Sequence, residues 1–143
     1  MSLQFTHHTI YVTDQEEAKD FYVGKLGFNV NTDAQMGDFR WLTVSPPAQP
    51  EMELILMPLV PSHAMDAETC ERLKEHLRAG HLPTGAFHTD DCMATYKELA
   101  AKGVEFTGEP QKEIYGIATV FKDPFGNWYS LSQPPEGGYP KSQ

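Results

Sequence analysis

The chain is one pattern written twice. Thr13-Asp14, Ala18 and Gly27 return as Thr89-Asp90, Ala94 and Gly103, each at an offset of 76 residues. A repeat of this length constrains the fold more than any other feature, because both copies must build the same supersecondary unit. Each copy reads as a strand, a helix and then several strands. At 143 residues the chain has room for one domain of two matched halves, with a core that needs no staples.

In the first copy, residues 5–13 form a strand candidate rich in β-branched and aromatic side chains. Asp14 follows as a helix N-cap, with Glu17 spaced to complete a capping box. Ala18, Phe21, Tyr22 and Leu26 recur at helical spacing, and Gly27 stands where a left-handed C-terminal cap belongs. Residues 28–32, 39–44 and 52–57 are the strands of this copy, with Gly37-Asp38 and residues 45–50 between them. The second copy opens with a strand at 85–89. Asp90 or Asp91 then caps a helix carrying Met93, Tyr96, Leu99 and Ala100, which Gly103 ends. Its further strands are 104–106, 114–121 and 128–132, and Asp123-Pro124-Phe125-Gly126-Asn127 makes the turn before the last. Module one therefore spans about 4–58 and module two about 84–133. The connector, 59–83, holds a short amphipathic helix near 66–78 with Cys70, Leu73 and Leu77 on one face. Residues 134–143 read as a loosely held tail.

Composition narrows the partners. Eleven basic residues against twenty acidic ones give a net charge of −9, which argues against nucleic acid and against an anionic membrane surface. No apolar run approaches the roughly 18 residues that span a bilayer. The N-terminus lacks a basic stretch followed by an apolar one, so no secretory signal is expected. Cys70 and Cys92 form no CxxC pair and read as reduced thiols of a cytoplasmic protein. Cys92 falls in the first turn of the second helix, where the helix dipole favours thiolate, yet apolar packing is the ordinary role of such a cysteine.

The motifs carry a family resemblance. His7-x-x-Ile10-x-Val12-x-Asp14, then Ala18, Phe21-Tyr22 and Leu26-Gly27-Phe28, resembles the opening of the vicinal oxygen chelate superfamily, the glyoxalase I, bleomycin-resistance and extradiol dioxygenase group. The second copy agrees through Thr89-Asp90-Asp91, Ala94, Leu99, Gly103-Val104-Glu105-Phe106 and Asp123-Pro124-x-Gly126-Asn127. The resemblance covers about residues 5–133. It implies an α+β fold of two βαβββ modules, forming curled mixed sheets around a ligand funnel. It also implies a homodimer. Function is not fixed by that fold.

In metal-dependent relatives each module supplies two ligands, one on its first strand and one on its last, for Zn, Ni, Mn or Fe. By that resemblance His7 and Glu53 fill one half-site. Thr84 and Ser130 stand where the other His and Glu would be, and neither is a strong ligand for a divalent metal. Absence of a metal cofactor is therefore favoured over a rebuilt site, for which His88, His81 and His63 are the candidate imidazoles. The bland reading of His7 and Glu53 is a hydrogen-bonded polar pair.

Strand parity lines the funnel with Thr9 and Tyr11 beside His7, with Ile55 and Met57 beside Glu53, and with Trp128, Ser130 and Ser132. Thr84 and His88 share a face, and Tyr115 and Arg40 are further candidates. That mixture of apolar and aromatic side chains with a few polar anchors suits a small organic molecule. Three functions compete. The first is metal-independent binding of a drug or metabolite, in which Tyr11 and Trp128 stack on the ligand. The second is a metal-dependent lyase, isomerase or dioxygenase with a degenerate site at His7 and Glu53. The third is a metal-free enzyme with His88, or His7 beside Glu53, as general base.

Overall fold

The computed structural model describes residues 1–139, which divide into two compact units after His81. In the first unit the strands are β1 (His7–Val12), β2 (Asn29–Met36), β3 (Phe39–Ser45) and β4 (Glu53–Pro58). They lie in the order β1-β4-β3-β2, with β1 parallel to β4 and the other pairs antiparallel. The parallel pair needs a crossover, and α1 (Gln15–Lys19), a π-helical stretch (Asp20–Lys25), β2 and β3 supply it. Ile10 and Val12 of β1 are buried, as are Ala18, Phe21 and Tyr22 from the helical segment, whereas His7 and Thr9 stay exposed. One face of the sheet is therefore covered and the other open.

The expected N-cap is present: the Asp14 side chain accepts from the Glu17 backbone N–H at 3.0 Å. The expected single α-helix is not. After five residues the helix widens to π geometry over Asp20–Lys25, before Gly27 ends it at φ +77°. Such widening rotates the following side chains, and both Phe21 and Tyr22 end up buried side by side, with ring centroids 4.9 Å apart.

β3 and β4 pair at Thr43–Ile55 and Val44–Leu54. Farther along, Gln15 bridges them: its side-chain amide donates to the Arg40 and Leu56 carbonyls, each at 3.0 Å. Arg40 itself holds both carboxylate oxygens of Asp33 at 2.8 Å and also reaches Glu16. Lys19 adds a bond to Asp33 at 2.9 Å. Arg40 thus fastens the β2–β3 hairpin to α1, a structural use that differs from the expectation of a funnel-lining side chain. The connector helix α2 (Ala67–Arg78) is capped by Asp66, which accepts from the Thr69 N–H at 2.8 Å, and buries Cys70 and Leu77.

The second unit has β5 (Pro83–His88), α3 (Cys92–Ala101), β6 (Glu105–Phe106), β7 (Gln111–Glu113), β8 (Gly116–Lys122) and β9 (Trp128–Gln133). The order is β5-β9-β8-β6, β7 also pairs with β8, and β5 runs parallel to β9. Asp91, rather than Asp90, caps α3, accepting from the Ala94 N–H at 3.0 Å. The expected strand over 114–121 starts later, because Ile114 and Tyr115 form the tip of a tight β7–β8 hairpin. The core of this unit is aromatic: Phe87, Phe121 and Tyr129 lie 5.0–5.9 Å apart by ring centroids. Among the described residues no helix is long and apolar enough to cross a membrane.

The turn at 123–127 is closed by one buried carboxylate. Asp123 Oδ1 accepts from the backbone N–H groups of Phe125, Gly126 and Asn127 at 2.9–3.0 Å, and Oδ2 accepts from the Asn127 side chain at 2.7 Å. Asn127 Oδ1 in turn accepts from Thr84, at 2.7 Å. One side chain thereby sets both the entry into β9 and the start of β5. Removing it leaves several buried donors without an acceptor, so Asp123→Ala should lower unfolding free energy by about 2–4 kcal/mol in denaturant titration.

Arg40 first, and then Lys19, hold the Asp33 carboxyl well below the usual carboxylate range. A depressed folded pKa gives stability that is full above the unfolded value of about 3.9 and is lost as acid protonates the folded carboxylate. The melting temperature of the wild type should therefore exceed that of Asp33→Asn most clearly above about pH 5. The gap should narrow towards about pH 2.

Candidate ligand site

His7 and Glu53 are register partners on adjacent parallel strands, so their side chains leave the sheet on the same face. His7 Nε2 lies 2.9 Å from Glu53 Oε2. His7 Nδ1 lies 2.8 Å from Thr6 Oγ1. On the other side Thr43, fully buried on β3, donates its hydroxyl to Glu53 Oε1 at 2.8 Å. The result is a continuous chain, Thr6–His7–Glu53–Thr43. Both ring nitrogens and both carboxylate oxygens have partners within the protein.

The matching positions of the second unit carry different chemistry. Ala86 stands opposite Ser130 and His88 opposite Ser132. The β5–β9 register slips between Pro83 and Gly85, which places Thr84 at the irregularity, where its hydroxyl serves Asn127. His88 is exposed, and its Nε2 lies 3.0 Å from the hydroxyl of Tyr139 in the tail. Tyr139 is also 3.3 Å from Ser132 Oγ. Tyr139 of the expected tail thus contacts the sheet, and residues 140–143 of that tail lie outside the described residues. Trp128 opens β9 half-buried, across from Lys122 and Pro83.

The parity expected for β1 and β4 places Thr9 and Tyr11 beside His7, with Ile55 and Met57 beside Glu53. Ile55 is buried in the core. Thr9, Tyr11 and Met57 line a cavity of about 520 Å³ with Met36, Phe39 and Met65. Asp38 contributes a carboxylate at its edge, and the segment 58–62 closes one side. In the second unit, a shallower cavity of about 360 Å³ is lined by Ser130, Tyr115, Thr107, Glu109 and Gln111. Of the expected ligand residues, Thr9 and Tyr11 line the first unit's cavity and Ser130 lines that of the second unit, whereas Ile55, Thr84, His88 and Trp128 line neither.

Met36, Phe39 and Met65 were not expected at a site. Gly37, at φ +63°, turns the β2–β3 hairpin and sets Met36 opposite Phe39. The Gly-Asp pair between two strand signals was the available cue. Trp41 belongs to the same group, half-buried and 6.2 Å from Phe39 by ring centroids. Met65 had no cue, because it lies in the irregular connector.

Other candidates have structural employment. Among the described residues no group of three or more His, Cys, Asp and Glu side chains is arranged to hold a metal. His81 sits 3.0 Å from His76, Nδ1 to Nδ1, at the end of α2. Cys92 is buried against the Leu131 carbonyl, and burial, followed by the Asp91 charge, pushes its thiol pKa up. Its desolvation outweighs the helix dipole, and a thiolate is disfavoured there.

The family model described as glyoxalase/bleomycin resistance protein/dioxygenase superfamily matches residues 4–131. The chain belongs to this superfamily. It is similar to the crystal structure of UcmS2, at 41% identity and a TM-score of 0.87, over 92% of this chain and 98% of that one. It is also similar to TnmS3, described as an antibiotic binding protein from Streptomyces sp. CB03234, at 31% identity and a TM-score of 0.73, over 94% of this chain and 98% of that one. The protein YurT of Bacillus subtilis is 36% identical over 126 residues, 87% of this chain and 94% of that protein. The α+β class, with two curled mixed sheets, is that of the superfamily.

The buried Thr43 hydroxyl has Glu53 as its acceptor, so Glu53→Ala should cost about 1–3 kcal/mol of stability by orphaning it. Glu53→Ala with Thr43→Val should recover part of that loss. A double-mutant cycle in urea checks the coupling, and strict additivity would count against the interaction.

Proposed function

We propose that the protein binds a largely apolar organic molecule of the antibiotic class on the open face of the first unit, with no resident divalent metal. The observation that carries this is the closed chain Thr6–His7–Glu53–Thr43 beside a cavity faced by thioethers and aromatic rings. His7 and Glu53 are satisfied by each other, by Thr6 and by Thr43 without an ion. The matching strands of the other copy oppose Ala86 and Ser130, which offer no imidazole or carboxylate. This donor set does not fit the four-ligand site of the metal-dependent relatives. Thioethers and aromatic edges are polarizable and adapt to flat ligands, and Tyr11 adds a rigid ring face. The description of TnmS3 as an antibiotic binding protein supports the ligand class. A homodimer belongs to this reading, and sedimentation would register it as a doubled mass. A reducing cytoplasmic setting suits the free, buried Cys70 and Cys92.

The test combines elemental analysis with thermal shift against a panel of aromatic antibiotics. At least one compound should raise the melting temperature equally before and after EDTA treatment. Tyr11→Ala should weaken that compound about three- to tenfold in calorimetric titration. Stoichiometric divalent metal that is lost in His7→Ala, with binding abolished by EDTA, would sink the proposal.

A further inference from the structure

The tail residue Tyr139 occupies a position that its local sequence constructs. β9 ends at Gln133, and Pro134 and Pro135 have no N–H with which to extend the ladder. The Pro135 carbonyl then accepts from the Gly138 N–H at 2.9 Å, closing a turn with Gly137 at φ +84° in its third position. That conformation strongly favours glycine. The reversal returns the chain over β9, so that Tyr139 reaches Ser132, seven residues back. Gly116 makes room for the start of the tail. Its φ is +126°, and a Cβ there would lie 2.0 Å from the Gln133 carbonyl oxygen and 3.2 Å from Pro135 N.

His88 and Ser132 are register partners on β5 and β9 and share one face. The Tyr139 hydroxyl meets both, at 3.0 Å from His88 Nε2 and 3.3 Å from Ser132 Oγ. The Tyr139 ring lies 5.4 Å from the imidazole, tilted by 36°. A hydroxyl within hydrogen-bond distance of both an imidazole nitrogen and a serine hydroxyl is bound at two points. The adjacent ring contact favours an aromatic carrier for this hydroxyl. We propose that His88 and Ser132 form a phenol-recognition subsite, filled in the free protein by Tyr139, which a hydroxyaryl ligand displaces. This goes beyond the first-unit site proposed above and concerns the second unit alone. Tyr139 is a removable occupant: it is 37% exposed, and a glycine turn brings it there. Being tethered, it competes at high effective concentration and lowers apparent affinity for any free phenol.

The probes are 2-naphthol and its ether 2-methoxynaphthalene, titrated into the full chain by calorimetry, with the His88 ring resonances followed by NMR. Tyr139→Phe keeps the ring and removes the competing hydroxyl. It should bind 2-naphthol about three- to tenfold more tightly than the wild type, and the ether equally in both. His88→Ala added to Tyr139→Phe should erase the preference for the naphthol over the ether. His88 is exposed, so this change leaves the core intact. No gain in Tyr139→Phe, or a preference that survives His88→Ala, would overturn the subsite. Naphthol binding that moves resonances of Tyr11 and Met57 while those of His88 stay fixed would also overturn it, and would leave the proposed first-unit site standing.

Discussion

Parallel pairing of the first and last strands in each copy is the constraint on which the rest depends. Two parallel strands cannot be joined by a tight turn, so a helix and the intervening strands must fit into the crossover. The helix covers one face and leaves the other free. The same pairing decides which side chains meet. β1 beside β4 sets His7 against Glu53, and β5 beside β9 sets Ala86 against Ser130 and His88 against Ser132. Residues far apart in the chain become neighbours on one open surface.

What those neighbours do follows from desolvation and hydrogen-bond supply. A half-buried carboxylate is costly without partners, and Glu53 has an imidazole on one oxygen and a buried hydroxyl on the other. The polar floor of the first unit is therefore internally satisfied. The adjacent surface of Tyr11, Phe39 and three methionines offers area rather than charge. The acidity of the whole chain has little bearing on that surface. Asp33 and Glu16 are engaged by Arg40, Asp123 closes a turn, and Asp14, Asp66 and Asp91 cap helices.

The two copies have diverged where their strands begin and end. In the first, β1 and β4 stay in register along their length. In the second, the register slips beside Thr84, whose hydroxyl joins the Asp123–Asn127 turn. The tail then folds back onto His88 and Ser132, a contact to which nothing in the repeat corresponds. Equal spacing in sequence has thus been kept while the chemistry on the open faces has separated.

The sequence by itself determined the βαβββ order of the first copy, the Asp14 cap and the glycine stops, while the second copy carries the added strand β7 and the pairing of His7 with Glu53 was implied by the family resemblance. The cap and the stops are local, since a cap needs one side chain and one N–H, and alternation sends every second residue of a strand to the same face. Only the tertiary structure decided the rest. The π-helical widening after Lys19, the salt-bridge role of Arg40, the placing of Met36, Phe39 and Met65 at one cavity and the return of Tyr139 to His88 all depend on contacts between distant segments. Such contacts are set by which backbone groups and surfaces remain unsatisfied once the strands have paired. No periodicity in the chain encodes that remainder.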